Sequence, residues 1–160
     1  MALREDRLIK KTEVNFVLDD VAEKGVFLCF KTAGSGSAQG DNQGKVQLAS
    51  NPSGLVVAGG LVQDFVSIDT TKYHENWHKE EQVIGTNCEM ALEGWFVTNK
   101  VSGTPTLGAK AYLTTNGQVT PTKSATGGLA ATPLVGQFDG IKDESGYVRV
   151  SFNLPNAANA

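Results

Sequence analysis

The segment His74-Glu75-Asn76-Trp77-His78 has the spacing of a zinc hydrolase motif. On a helix, H-E-x-x-H places two imidazoles on one face to bind Zn²⁺, with a glutamate beside them to take a proton from the bound water. The metal also needs a third protein ligand. The chain has only two histidines, His74 and His78, so that ligand would have to be a carboxylate. The chemistry therefore depends on whether this segment is a buried helix.

The residues around the motif do not favour a buried helix. Residues 70–82 can begin with an Asp or Thr cap, but only Tyr73 and Trp77 are apolar before Val83. An active-site helix that packs under a sheet needs a continuous apolar stripe. We therefore expect a loop or a single helical turn and no bound metal. The alternative is a small zinc-dependent hydrolase, with the two histidines as ligands and Glu75 as the base.

Composition and local sequence argue against several other functions. The chain has 160 residues and a net charge of -3, and its basic residues are dispersed, which does not suit nucleic-acid binding. The N-terminus alternates charges, and no run approaches the roughly 18 apolar residues of a membrane span. No serine or cysteine has the G-x-S-x-G context of a hydrolase nucleophile. We predict one domain without a secretory signal, no enzyme and no cofactor.

Two segments are candidates for protein contacts. Tyr73, His74, Trp77 and His78 place four amphipathic rings within one polar segment. Such rings are enriched in the cores of protein interfaces, although they can also cover the end of a barrel.

The two cysteines, Cys29 and Cys88, lie in apolar strand-like segments, and we expect both to be buried free thiols.

The second candidate is the N-terminal segment, residues 1–20. Its first half is charged, and its second half alternates Val14, Phe16 and Leu18 with other residues. Because it has too few apolar residues to form a core alone, we interpret it as an extended arm that needs a partner surface.

The rest of the chain has the pattern of an all-β domain. From Leu55 onward, short apolar runs alternate with turn residues. Asn116-Gly117 predicts a hairpin within residues 111–120, because both residues accept positive φ angles. Residues 147–154 alternate strictly and should pair with residues 134–138.

These patterns predict an all-β barrel or sandwich over residues 21–155. The glycine-rich residues 32–44 should form a flexible loop, because they contain almost nothing to bury. The glycines at 59–60 should separate two strands. Residues 156–160 should be a polar tail.

Several segments also follow one another in a recognisable order and spacing. They are residues 32–36, 69–81, 94–99, 107–113, 116–119, 135–138 and 142–150. Together they resemble the head decoration, or cement, proteins of tailed bacteriophages. The likeness extends from about residue 12 to 154, and no single motif carries it.

This resemblance implies a small β-barrel or β-tulip domain with an extended N-terminal arm and long loops. It implies binding to major capsid protein on the outside of the virion, as a homotrimer, after synthesis in the host cytoplasm. It also implies no enzymatic activity and no direct contact with nucleic acid or a membrane. In the phage lambda type of decoration protein the arm orders on the capsid and extends the sheet, and residues 2–20 suit that role.

The expected capsid or subunit contacts are therefore Val14, Phe16 and Leu18 in the arm, together with the four rings at Tyr73, His74, Trp77 and His78. In the family likeness Glu75 is not required between the histidines, which makes the H-E-x-x-H match incidental. A further alternative is a carbohydrate-binding or host-binding module on the virion. Its aromatic platforms would be Tyr73, Trp77 and Trp95.

Overall fold

A computed structural model describes residues 3–31, 44–63, 81–82, 84–85, 87–124 and 132–154. The proposed contacts at Tyr73, His74, Trp77 and His78 lie outside these residues, and so does the complete H-E-x-x-H segment. Nearly all of the glycine-rich segment 32–44 and the whole tail 156–160 also lie outside them.

The described residues form twelve strands and one short 3₁₀ helix, Thr115–Gly117. The strands are β1 Leu3–Glu13, β2 Val17–Leu18, β3 Ala22–Glu23, β4 Phe27–Phe30, β5 Lys45–Gln47, β6 Val57–Leu61, β7 Glu81–Gln82, β8 Met90–Thr98, β9 Lys110–Leu113, β10 Val119–Thr120, β11 Leu134–Phe138 and β12 Val148–Asn153. The prediction of an all-β fold is confirmed.

Ten of the strands make one sheet, and that sheet is not closed into a barrel. The strand order is β10-β9-β11-β12-β8-β6-β4-β5-β2, with β1 added beside β8. Strands β3 and β7 form a separate pair. Closure would require β10 to pair with β2, and in the described structure these two-residue strands form opposite ends of the order. The barrel expectation is therefore wrong, because alternation along strands reports a buried face and not the pairing of the outermost strands.

Three strands pair with β8, and their positions show how the sheet is organised. β12 pairs with residues 93–98 of β8, and β6 pairs with Met90 and Ala91. β1 pairs with β8 from Thr98 to Met90, opposite both of them. Because a strand has only two edges, β12 and β6 share one edge of β8 and β1 occupies the other. The charged N-terminal segment thus has a partner surface within its own chain.

Two apolar clusters form the core. In the larger one, the rings of Phe27, Phe96 and Phe152 lie with centroids 5.1 to 5.2 Å apart. The smaller one surrounds Leu18 and Met90, both fully buried. The alternation of β12 is as predicted, with Val148, Val150 and Phe152 buried, and β12 pairs with β11.

The predicted hairpin is also present. β9 pairs antiparallel with β10, and Asn116 and Gly117 between them have φ angles of 57° and 72°. The glycines at 59–60, in contrast, lie inside β6 and do not separate two strands. A Cβ atom at Gly60 would come within 2.6 Å of the Phe96 ring, so glycine there allows close packing on the aromatic cluster.

Candidate contact surface

The three arm residues differ in what they expose. Val14 is 52% exposed, whereas Phe16 is partly buried and its ring packs edge-on against Phe30 at 5.1 Å. Leu18 is fully buried. Its side chain therefore belongs to the core, and of these three residues Val14 is the one that presents an apolar side chain to solvent. Alternation identified these positions as one face but could not say whether that face meets the core or a partner.

Residues 16–22 run beside the residues that follow the aromatic segment, which is the stretch of sequence from Tyr73 to His78. Ala22 pairs with Gln82 in the β3–β7 pair, and the Gly85 amide donates to the Leu18 carbonyl at 2.8 Å. The Cys88 amide donates to the Phe16 carbonyl at 3.0 Å. These backbone contacts bring residues 16–22 next to the chain that leaves the aromatic segment.

Exposed apolar side chains occur on both of these adjoining stretches. Val21 is 45% exposed and Ile84 is 58% exposed. We call Val14, Val21 and Ile84 the apolar set. Ile84 follows His78 by only six positions in the sequence. Sequence patterns did not single out Val21 and Ile84, because each lies in a short apolar stretch beside acidic or turn residues.

β1 is attached to the sheet by its backbone pairing with β8 and by side chains at its N-terminal end. Leu3 is 1% exposed and belongs to the larger core cluster, while most side chains that follow it in β1 are exposed. Arg4 makes an ion pair with Asp143 at 2.7 Å, and its guanidinium lies 4.2 Å from the centre of the Tyr147 ring. The backbone amide of Tyr147 donates to Asp143, and this bond, with Arg4 adding to it, lowers the pKa of Asp143.

The middle of β1 depends on one glycine in β8. Gly94 has a φ angle of 140°, and a Cβ atom there would collide with the Leu8 carbonyl oxygen and lie 3.0 Å from the Ile9 Cα. Further contacts come from Arg7, which donates to the Val62 carbonyl at 3.2 Å. Glycine at position 94 thus allows β1 to approach β8 closely.

A carboxylate cluster holds together the strands on both sides of the glycine-rich segment. Asp19 accepts hydrogen bonds from Lys31, directly after β4, and from Lys45, in β5, the latter at 3.1 Å. The bond from Lys31, followed by the one from Lys45, lowers the pKa of Asp19. Next to it, Asp20 accepts a hydrogen bond from the Leu48 amide at 3.0 Å. These pairings account for both acids as structural groups.

The cysteines have the environment predicted for them. Cys29 and Cys88 are free and buried. Burial raises the pKa of Cys29 to about 12 and that of Cys88 to about 11, so neither forms the thiolate that a nucleophile requires. The Cys88 thiol donates to the Phe16 carbonyl at 3.3 Å. Within the described ranges, no cluster of three or more His, Cys, Asp or Glu residues is arranged to bind a metal ion.

Comparisons with known proteins do not assign a family. No protein-family model matches the chain, and no curated protein matches it significantly. No helix in the described part of the chain is long and apolar enough to cross a membrane.

Proposed function

We propose that this protein is a capsid cement protein of a tailed bacteriophage, which binds the outer surface of the major capsid protein lattice. The sequence segments between residues 12 and 154 resemble those of head decoration proteins in their order and spacing, and this resemblance supports the proposal. Binding as a homotrimer at the junctions of capsomers, on the outside of the virion, belongs to the same proposal. The role requires a surface and no chemistry.

The apolar set is the observation that carries the proposal. Val14, Val21 and Ile84 are each about half exposed, and residues 16–22, which include Val21, adjoin the chain that carries Ile84. Covering an apolar side chain of this size contributes on the order of 1 kcal/mol when half of its surface is already buried. One such contact is weak, but a trimer that makes several contacts at once gains avidity. A cement protein can therefore bind tightly through small patches.

β1 offers a second means of attachment. One of its edges pairs with β8, and among the described strands none pairs with its other edge. A capsid strand could therefore add to β1 and extend the sheet, in the way that peptides add to exposed sheet edges. The charged side chains of β1, including Arg4, Arg7 and Lys10, oppose uncontrolled pairing between free copies.

Cosedimentation with expanded, undecorated heads of the phage that carries this gene tests the proposal. We expect the protein to pellet with the heads, and Ile84→Asp to weaken binding by at least about tenfold, because a buried charge would replace an apolar contact. Leu107→Asp is the matched control. Leu107 is 74% exposed and precedes β9, which lies near the opposite end of the strand order from β2.

A deletion separates the contribution of β1. Removing residues 2–13 takes away β1 but leaves Val17 and Leu18 in the core. We expect the deleted protein to keep its β-rich circular dichroism and to bind heads more weakly. Absence of binding by the wild-type protein, or equal losses for Ile84→Asp and Leu107→Asp, would count against the proposal.

A further inference from the structure

An open hollow of about 590 Å³ lies on the outer face of the sheet, and none of the apolar set lines it. Its floor follows a row of paired residues across neighbouring strands. Leu8 pairs with Trp95, Trp95 with Ser151, Ser151 with Gln137, and Gln137 with Lys110. The hollow is therefore built on five paired strands and not on a loop.

Small residues lie beside this row. Gly94 and Gly136 also line the hollow, and each lacks a side chain where the backbones approach most closely. A Cβ atom at Gly136 would collide with the Ser151 carbonyl oxygen and lie 3.0 Å from the Phe152 Cα. The two glycines therefore let the strands under the hollow approach closely, and Trp95 is the largest side chain that lines it.

Trp95 has one occupied side. The Arg149 guanidinium lies 3.9 Å from the centre of the ring, and Arg149 does not line the hollow. Arg149 is in turn 3.5 Å from Asp139, which fixes the guanidinium and through it the ring. The hollow therefore has an aromatic wall, Trp95, whose ring Arg149 holds in place.

Polar side chains with unused hydrogen-bonding groups complete the hollow. Gln137 and Asn153 are exposed and Ser151 is partly exposed. No hydrogen bond joins their side chains to another residue that the structure describes. Glu93 also lines the hollow and makes an ion pair with Lys10 at 3.5 Å.

We propose that this hollow binds a pyranose ring of an oligosaccharide or polysaccharide. The C–H groups on one face of a pyranose carry partial positive charge and pack against the negative face of an aromatic ring, here Trp95. The hydroxyl groups around the ring both donate and accept, which suits the amides of Gln137 and Asn153 and the hydroxyl of Ser151. The volume lies within the usual range for a small-molecule site. None of the apolar set lines this site, although Leu8 and Lys10 of β1 do.

NMR titration of the full-length, isotope-labelled protein tests this site. The probes are cellotriose and chitotriose as neutral sugars and digalacturonate as a carboxylated sugar, each up to about 10 mM, well above the Kd of weak specific binding. We expect at least one probe to give saturable shifts at the Trp95 indole N–H and at residues around the hollow. Trp77→Phe assigns the indole signal, because Trp77 is the other tryptophan. Preference for digalacturonate would point to Lys110 as a carboxylate partner, tested by Lys110→Ala.

Two variants and a control decide the result. Gln137→Ala and Asn153→Ala each remove an exposed amide and should weaken binding roughly two- to tenfold. Asn99→Ala is the matched control, because Asn99 is exposed and lies outside the hollow. No saturable shift with any of the three probes would overturn the proposal. Binding that both amide variants leave unchanged would also overturn it. Either result leaves the capsid experiment unaffected.

Discussion

Replacement of Gly94 by alanine should detach β1 from the sheet. Gly94 has a φ angle of 140°, and a Cβ atom would collide with the Leu8 carbonyl oxygen in the middle of β1. A residue with a side chain is strained in this backbone region by about 1–3 kcal/mol. The collision adds a second cost, because the strand opposite must move away.

The free-energy cost of displacing β1 follows from the apolar surface that β1 buries. Leu3 is the fully buried side chain of β1, and its transfer to water costs about 1.5–3 kcal/mol. Gly146→Ala is the reference for a positive φ angle without a collision, because Gly146 has a φ angle of 81° and a Cβ atom there would meet nothing within 4 Å. We therefore expect Gly94→Ala to lower the free energy of unfolding by about 1.5–3 kcal/mol more than Gly146→Ala does.

Urea unfolding gives these free energies, and hydrogen exchange shows where the structure opens. In Gly94→Ala the amides of β1 should lose protection while those between β11 and β12 keep it. In Gly146→Ala the amides of β1 should stay protected. Agreement of the two variants within about 0.5 kcal/mol, or protection of β1 that persists in Gly94→Ala, would refute this explanation of Gly94.

Three further results are expected. Leu18→Ala should lower the free energy of unfolding by about 2–5 kcal/mol in urea, because Leu18 is fully buried; a cost below about 1 kcal/mol would remove it from the core. With a pKa of about 12 and about 11, Cys29 and Cys88 should resist alkylation at pH 8 until guanidinium is added, and rapid labelling of the folded protein would contradict their burial. The pKa of Asp143 is lowered, so its hydrogen bonds stabilise the fold at pH values above the ordinary 3.8. This stabilisation is lost as the pH falls through the lower pKa of the folded state. Asp143→Asn should therefore lower the free energy of unfolding in urea at pH 7 and lower it much less near pH 2.

Local signals predicted the parts of the fold that depend on local chemistry. Asn116-Gly117 adopts the positive φ angles that its residue types allow, and residues 148–153 alternate because one face of β12 is buried. β1 was not predictable in the same way. Its residues are mostly charged, and its pairing depends on the edge of β8 and on Gly94, far away in the sequence. Long-range backbone complementarity of this kind leaves no periodic pattern in the strand itself.

The candidate surfaces were likewise predictable only where they depend on local sequence. Alternation placed Val14 and Leu18 on one stretch, but only the fold separates the exposed side chain from the buried one. The hollow beside Trp95 unites residues from five strands, so its members are scattered in the sequence. Among the residues of the hollow, Trp95 is the one that its residue type marks as a candidate platform. Its polar neighbours can be identified only from the strand register.

The most direct measurement for the capsid role is a cryo-electron microscopy reconstruction of expanded heads mixed with the purified protein. We expect added density on the outer surface, at junctions between capsomers, with Val14, Val21 and Ile84 facing the shell. Heads without added density at saturating protein would contradict the cement role. Density in which the apolar set faces solvent would contradict the proposed contact surface.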